Sequence, residues 1–130
     1  MFDDVGIDVR NLEKSKTFYS NSLAPLGIKL ILELKDSGAA GFGKDRPRFW
    51  IGAGTPSNGE NDFHICFSAE SRAEVRAFYE AAIAAGARDN GKPGLRPKYH
   101  ENYYGAFVFD LDGNNIEACC HLADNRESHL

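Results

Sequence analysis

The stretch DFHICFSAESRAEVRAFY, residues 62–79, repeats the pattern of DDVGIDVRNLEKSKTFY, residues 3–19. Superposing Phe78-Tyr79 on Phe18-Tyr19 sets an offset of 60 residues. That offset carries Asp4 onto His64 and Asn11 onto Ser71, and brings Gly27 close to Gly86. Internal repetition constrains architecture strongly, because each copy must be one supersecondary unit. Each copy opens with a period-two run: Val5, Ile7 and Val9 alternate with Asp4, Gly6 and Asp8, and Phe63, Ile65 and Phe67 alternate with His64, Cys66 and Ser68. Such alternation predicts a half-buried strand whose apolar face receives a helix. The opposite face carries Asp4 in one copy and His64 in the other, two metal-capable side chains at equivalent points.

A helix follows each strand. Asn11 is a good N-cap, and the first helix runs through Phe18 and Tyr19 to about Leu23, where Pro25 and Gly27 stop it. Ser71 with Glu74 forms a capping box, and Val75, Phe78, Tyr79, Ala82 and Ile83 make one helical stripe closed by Gly86. Strand-like text then occupies residues 28–34, 40–42 and 48–51, and residues 52–62 read as a linker. In the second copy residues 88–102 are turn-rich, with a short strand near 96–100. Strands at 105–109 and 115–120 flank a turn at LDGN, whose Asp112-Gly113 pair is a hairpin signal. Each half thus reads strand, helix, three strands. The expected fold is α+β: two βαβββ modules in a single domain, forming a curved, cupped mixed sheet with helices outside. Module one covers about 1–54, the linker about 55–61, module two about 62–121 and a polar tail 122–130.

A chain of 130 residues can bury a core without disulfides or a structural metal. A formal net charge of −4 argues against a nucleic-acid surface. No apolar run approaches a membrane span, and the opening MFDDVGID is neither a signal nor a transit peptide, so a cytoplasmic location is expected. Cys66, Cys119 and Cys120 are odd in number and lack C-x-x-C spacing, which argues against a disulfide framework or a thiolate zinc site. In apolar strand text they read as small hydrophobes rather than a catalytic thiol.

Three segments, residues 4–19, 63–79 and AFVFDLDGNNIEACCH at 106–121, together resemble the vicinal oxygen chelate superfamily. That superfamily includes glyoxalase I, extradiol dioxygenases and the bleomycin- and fosfomycin-resistance proteins. The resemblance spans nearly the whole chain. GLRPKYH at 94–100 and NYYG at 102–105 bring it nearest to the glyoxalase-like bacterial branch. Members hold a metal in a groove between modules, with ligands from the first and last strand of each module. By position, the resemblance implies Asp4, His64 and Glu117 as metal ligands. The fourth position falls at Trp50 or Ile51, which cannot ligate, and Asp4 stands where histidine is common. Three carboxylate and imidazole ligands still suffice for a divalent ion such as Zn, Mn, Ni or Fe with open coordination sites.

Beside that set, His100 and Tyr104 are candidate acid–base groups alongside Glu117, while Tyr103 reads as core. Arg96 and Lys98 are placed to orient an anionic substrate, and Trp50 reads as groove wall. His121 and His129 receive no role. One functional reading is a metal-dependent lyase, isomerase or oxygenase acting on a small oxygen-rich molecule, with the protein a homodimer. The alternative is a metal-free binding protein that sequesters a drug or metabolite, and a third is a regulatory module without a ligand. Glyoxalase I activity itself is not expected, since it needs four ligands.

Overall fold

Both helices begin where their caps dictate. The computed structural model describes residues 1–56 and 63–123. Within them β1 (Val5–Val9) leads to Asn11, whose side chain accepts from the Lys14 N–H and starts α1 (Leu12–Leu23). A 3₁₀ turn (Ala24–Leu26) ends on Gly27 at φ 77°, a left-handed conformation that glycine adopts without strain. Strands β2 (Lys29–Leu34), β3 (Ala39–Gly43) and β4 (Phe49–Ala53) complete the first module. In the second, β5 (Ile65–Ser68) precedes α2 (Arg72–Ala84), capped by Ser71 Oγ accepting from the Glu74 N–H. The Glu74 carboxylate accepts in return from Glu70 rather than from the cap residue, a variant of the expected box. Strands β6 (Arg88–Leu95), β7 (Tyr104–Phe109) and β8 (Asn115–Cys120) follow.

The strands make two separate four-stranded sheets of identical topology, ordered β1-β4-β3-β2 and β5-β8-β7-β6. In each, the first strand pairs in parallel with the last and the other pairs are antiparallel. This is the two-module βαβββ arrangement expected from the repeat. The strand expected near 96–100 instead lies at Arg88–Leu95, and residues 97–102 form its turn. Register shifts around Gly91, whose φ is 151°, let a segment containing Gly and Pro pair with β7 and erase the alternation that would have shown it. Much of the expected linker and nearly all of the tail, His129 included, lie outside the described residues.

One apolar core spans both modules. Ile7, Val9, Phe18, Tyr19, Phe42 and Ile51 pack in the same cluster as Phe78, Val108, Ile116 and Ala118. Phe49 and Phe67 meet edge to face at 5.1 Å. The buried Tyr19 hydroxyl donates to Asp110 Oδ2 at 2.5 Å, and Asp110 also accepts from the Asp112 and Asn114 N–H groups and from Asn114 Nδ2. The β7–β8 hairpin turn is thereby tied to α1 of the other module. With core and helices on one face of each sheet, the opposite face is left for function. No helix among the described residues is long and apolar enough to cross a membrane.

Candidate functional site

The register of the two sheets locates the site. Gly6 faces Trp50 across β1 and β4, and Cys66 faces Glu117 across β5 and β8. Since Cys66 is Gly6 moved by 60, Trp50 rather than Ile51 holds the place that Glu117 holds in the second module. Flanked by glycines at 6 and 41, the half-buried indole lies across its own sheet, 3.0 Å from where a Cβ at residue 41 would stand. The first sheet offers no carboxylate there.

The open face of the second sheet is rich in chemistry. Glu117 is 1% exposed, although carboxylates are rarely buried without partners. It has two. Tyr103 donates its hydroxyl to Oε2 at 2.5 Å, and His64 Nε2 lies 3.4 Å from Oε1. A hydrogen bond to a carboxylate contributes about 1.5–3 kcal/mol. His64 stands just before β5 with its side chain half exposed and its ring edge-on to Phe107. Burial, then the bond to Glu117, push the Tyr103 phenol well above its ordinary range.

Two cysteines share that face. Cys66 Sγ lies 3.1 Å from Cys119 Sγ, and among the described residues Cys66, Glu117 and Cys119 each place a donor atom within 4.8 Å of the others. The S–H bond from Cys66 is the main reason the Cys119 thiol falls to about 6; the Tyr103 hydroxyl and His121 act in the same direction, while burial and Glu117 oppose it. Donating that bond, together with burial, pushes the Cys66 thiol upward. Only Cys120 behaves as the small hydrophobe expected of all three, packed with Val75 and Ala106 on the helix side.

A chain of hydrogen bonds runs into this cluster. The Asn102 N–H donates to His100 Nδ1 at 3.0 Å, so the proton of a neutral His100 ring sits on Nε2. Nε2 is 2.8 Å from His121 Nδ1, which leaves the His121 Nε2–H facing Cys119 Sγ at 3.7 Å. The two imidazoles stack at 5.0 Å.

The remaining site residues divide between faces. Tyr104, expected beside His100, has its ring beneath the Arg72 and Arg76 guanidinium groups at 5.3 and 5.9 Å, on the α2 side of the sheet. The phenol that reaches Glu117 is that of Tyr103, expected in the core, and not that of Tyr104. Arg96 lies over Phe107 at 5.8 Å and donates to the Lys92 carbonyl, beside the open face. Lys98 is exposed and rests on Tyr99. Asp4 is exposed at the start of β1 and is absent from the donor cluster around Glu117. It lines an intermodule cleft of about 470 Å³ with Val5, Phe42, Phe49, Ile65 and Phe67.

Comparison with known proteins agrees with this architecture. Residues 2–118 match the Glyoxalase/Bleomycin resistance protein/Dioxygenase superfamily. The chain belongs to that superfamily. Among solved structures of the superfamily, a glyoxalase/bleomycin resistance protein from Albidiferax ferrireducens T118 is 32% identical with a TM-score of 0.82, covering 92% of this chain and 98% of its own. The fold alone is shared with the fosfomycin resistance protein FosX from Listeria monocytogenes, at 19% identity and a TM-score of 0.71, covering 97% of each chain. A mutant of that FosX, at 19% identity and a TM-score of 0.69 over 91% of this chain and 87% of its own, was crystallised with Mn(II) and 1S,2S-dihydroxypropylphosphonic acid. No curated protein matches the chain.

Signals for the missed residues were present. Cys66 shares strand parity with His64, and Cys119 with Glu117, so each pair shares a face. Odd number and the lack of C-x-x-C spacing argue against a cysteine site along the chain, but strand parity places both thiols on the face of the candidate ligands.

Proposed function

We propose that this protein is a divalent-metal-dependent enzyme, a lyase, isomerase or oxygenase, acting on a small oxygen-rich molecule held at the open face of the second sheet. The buried Glu117 carboxylate carries this reading. It is aligned by Tyr103 and approached by His64, a carboxylate–imidazole pair of the type that holds Zn, Mn, Ni or Fe. Such an ion would supply Lewis acidity toward neighbouring substrate oxygens. His64 and Glu117 would hold it. Asp4, away from them within one chain, would complete the set from a second copy in a homodimer, since modules of this superfamily pair across chains as well as within them. Arg96 and Lys98 supply positive charge for an anionic substrate, Trp50 forms groove wall, and His100 with its partner His121 is the acid–base candidate. Tyr104, the other acid–base candidate, packs its ring against α2. A cytoplasmic location accompanies this reading.

Two observations favour a second reading. Trp50 replaces the second carboxylate, and the intermodule cleft is lined largely by apolar side chains. A groove of that kind suits a metal-free protein that sequesters a drug or metabolite. Titration of tag-free protein with Mn²⁺, Ni²⁺ and Zn²⁺, followed calorimetrically with wild type and Glu117→Gln, decides between them. Stoichiometric binding lost in the variant supports the enzyme; no binding of any ion leaves the sequestering protein. Light scattering that returns a strict monomer at high concentration would remove the homodimer.

A further inference from the structure

We propose that Cys66, Cys119 and Glu117 form a site for a thiophilic divalent cation, zinc or cadmium in type, on the open face of the second sheet. It shares Glu117 and that face with the preceding reading but replaces an oxygen and nitrogen donor set by two sulfurs and one carboxylate.

Three observations converge on it. The donor atoms of these residues lie within 4.8 Å of one another, with the two sulfurs 3.1 Å apart. Zinc–thiolate bonds of about 2.3 Å in tetrahedral geometry span about 3.8 Å between sulfurs. Opening the pair by that difference takes a small side-chain rotation, and Cys66 is exposed and able to make it.

The placement is also particular to the second module. At the three equivalent points the first sheet carries Gly6, Trp50 and Gly52, as its register shows, and none of these is a donor. The donors are therefore not a by-product of the repeated fold.

Finally, the surroundings suit a bound thiolate. The His121 Nε2–H faces Cys119 Sγ, an outer hydrogen bond that orients a sulfur ligand, and His100 fixes its tautomer. The other oxygen of Glu117 is held by Tyr103. Three protein ligands leave a fourth position for water or substrate, as in catalytic rather than structural zinc sites. Soft sulfur donors select such ions over Mn(II) or Mg(II). Spacing along the chain argued against a thiolate site, but the two sulfurs come from strands 53 residues apart in sequence.

The test is titration of the metal-free protein with Co(II) and Cd(II) in a phosphine reductant, read as sulfur-to-metal charge-transfer absorption. Wild type should saturate at one ion per chain. Cys66→Ser and Cys119→Ser should each weaken Cd(II) binding by more than about 10-fold, whereas Cys120→Ala, on the helix side of the sheet, should keep the band. Cys66→Ser changes an exposed residue and keeps the test decisive should Cys119→Ser not fold. No band in wild type, or a band that survives in the double serine variant, overturns the inference. Mn(II) binding, read by paramagnetic resonance, separates the two sites. Mn(II) uptake without a thiolate band overturns this inference and leaves the oxygen and nitrogen set standing. A thiolate band without Mn(II) uptake supports this inference and removes Mn(II) as the ion of the oxygen and nitrogen set.

Discussion

Trp50 and Glu117 occupy the same point of two repeated strand pairs, one opposite Gly6 and the other opposite Cys66. The molecule thus keeps one buried carboxylate where twofold repetition of the motif would give two. Any metal response should therefore require Glu117. At an ion concentration near 100 times Kd, binding stabilises by about 2.7 kcal/mol. For a domain of this size the Tm should then rise by at least roughly 5 °C. Glu117→Gln should shift by less than about 1 °C under the same conditions. Calorimetry with and without Mn²⁺, Ni²⁺ or Zn²⁺ checks both.

Adjacent tyrosines should behave oppositely. Tyr103→Phe removes the hydroxyl that satisfies Glu117 Oε2 and should cost about 1–3 kcal/mol in urea denaturation. It should also weaken metal binding. Among the described residues Tyr104→Phe loses a 3.4 Å contact with Arg76, and it should stay within about 0.5 kcal/mol, with metal binding unchanged. Equal effects from the two variants would contradict the assignment of faces.

Alkaline pH should expose the Tyr19–Asp110 tie. Burial first, then the Asp110 charge and hydrogen bond, raise the Tyr19 phenol well above its ordinary value of 10. A group whose pKa is raised on folding stabilises fully below its unfolded pKa, and that stabilisation is lost as pH rises through the folded value. Wild type should therefore lose stability above pH ~10, and Tyr19→Phe should show a slope shallower by one group. Near pH 7 the variant should be less stable by about 1–2 kcal/mol. Denaturation midpoints from pH 7 to 11 provide the measurement.

Gly105 is a spacer for the site. A Cβ there would lie 3.0 Å from Glu117 Oε2 and 3.2 Å from Tyr103 Cε1. Gly105→Ala should spread that pair at a cost of about 1–3 kcal/mol. In a Tyr103→Ala background the cost should shrink, with a coupling of about 0.5 kcal/mol or more in a double-mutant cycle. Additivity would mean that the glycine acts elsewhere.

The extent to which the sequence disclosed this arrangement varies from element to element. The helices were legible because Asn11 and Ser71 are caps and because an apolar stripe every three to four residues has one solution. β8 was legible because the aspartate-glycine turn marks a hairpin whose second arm it forms. Strand β6 was not, since bulges at Gly91 break the period on which the reading relies.

By itself the sequence determined which residues share a strand face: His64 with Cys66, and Glu117 with Cys119. Side-chain parity is a local property of extended backbone, and a one-residue shift reverses it. Tertiary structure decided what those faces meet. The start of β7 at Tyr104 settled that Tyr103, not its neighbour, reaches Glu117. Parallel pairing of β5 with β8 brought Cys66 to Cys119, and the turn before β7 brought His100 to His121. Asp4 stayed apart from Glu117 although its repeat partner His64 adjoins it, because β1 and β8 belong to different sheets. Registers between distant strands are set by the packing of the whole core, which no local pattern encodes.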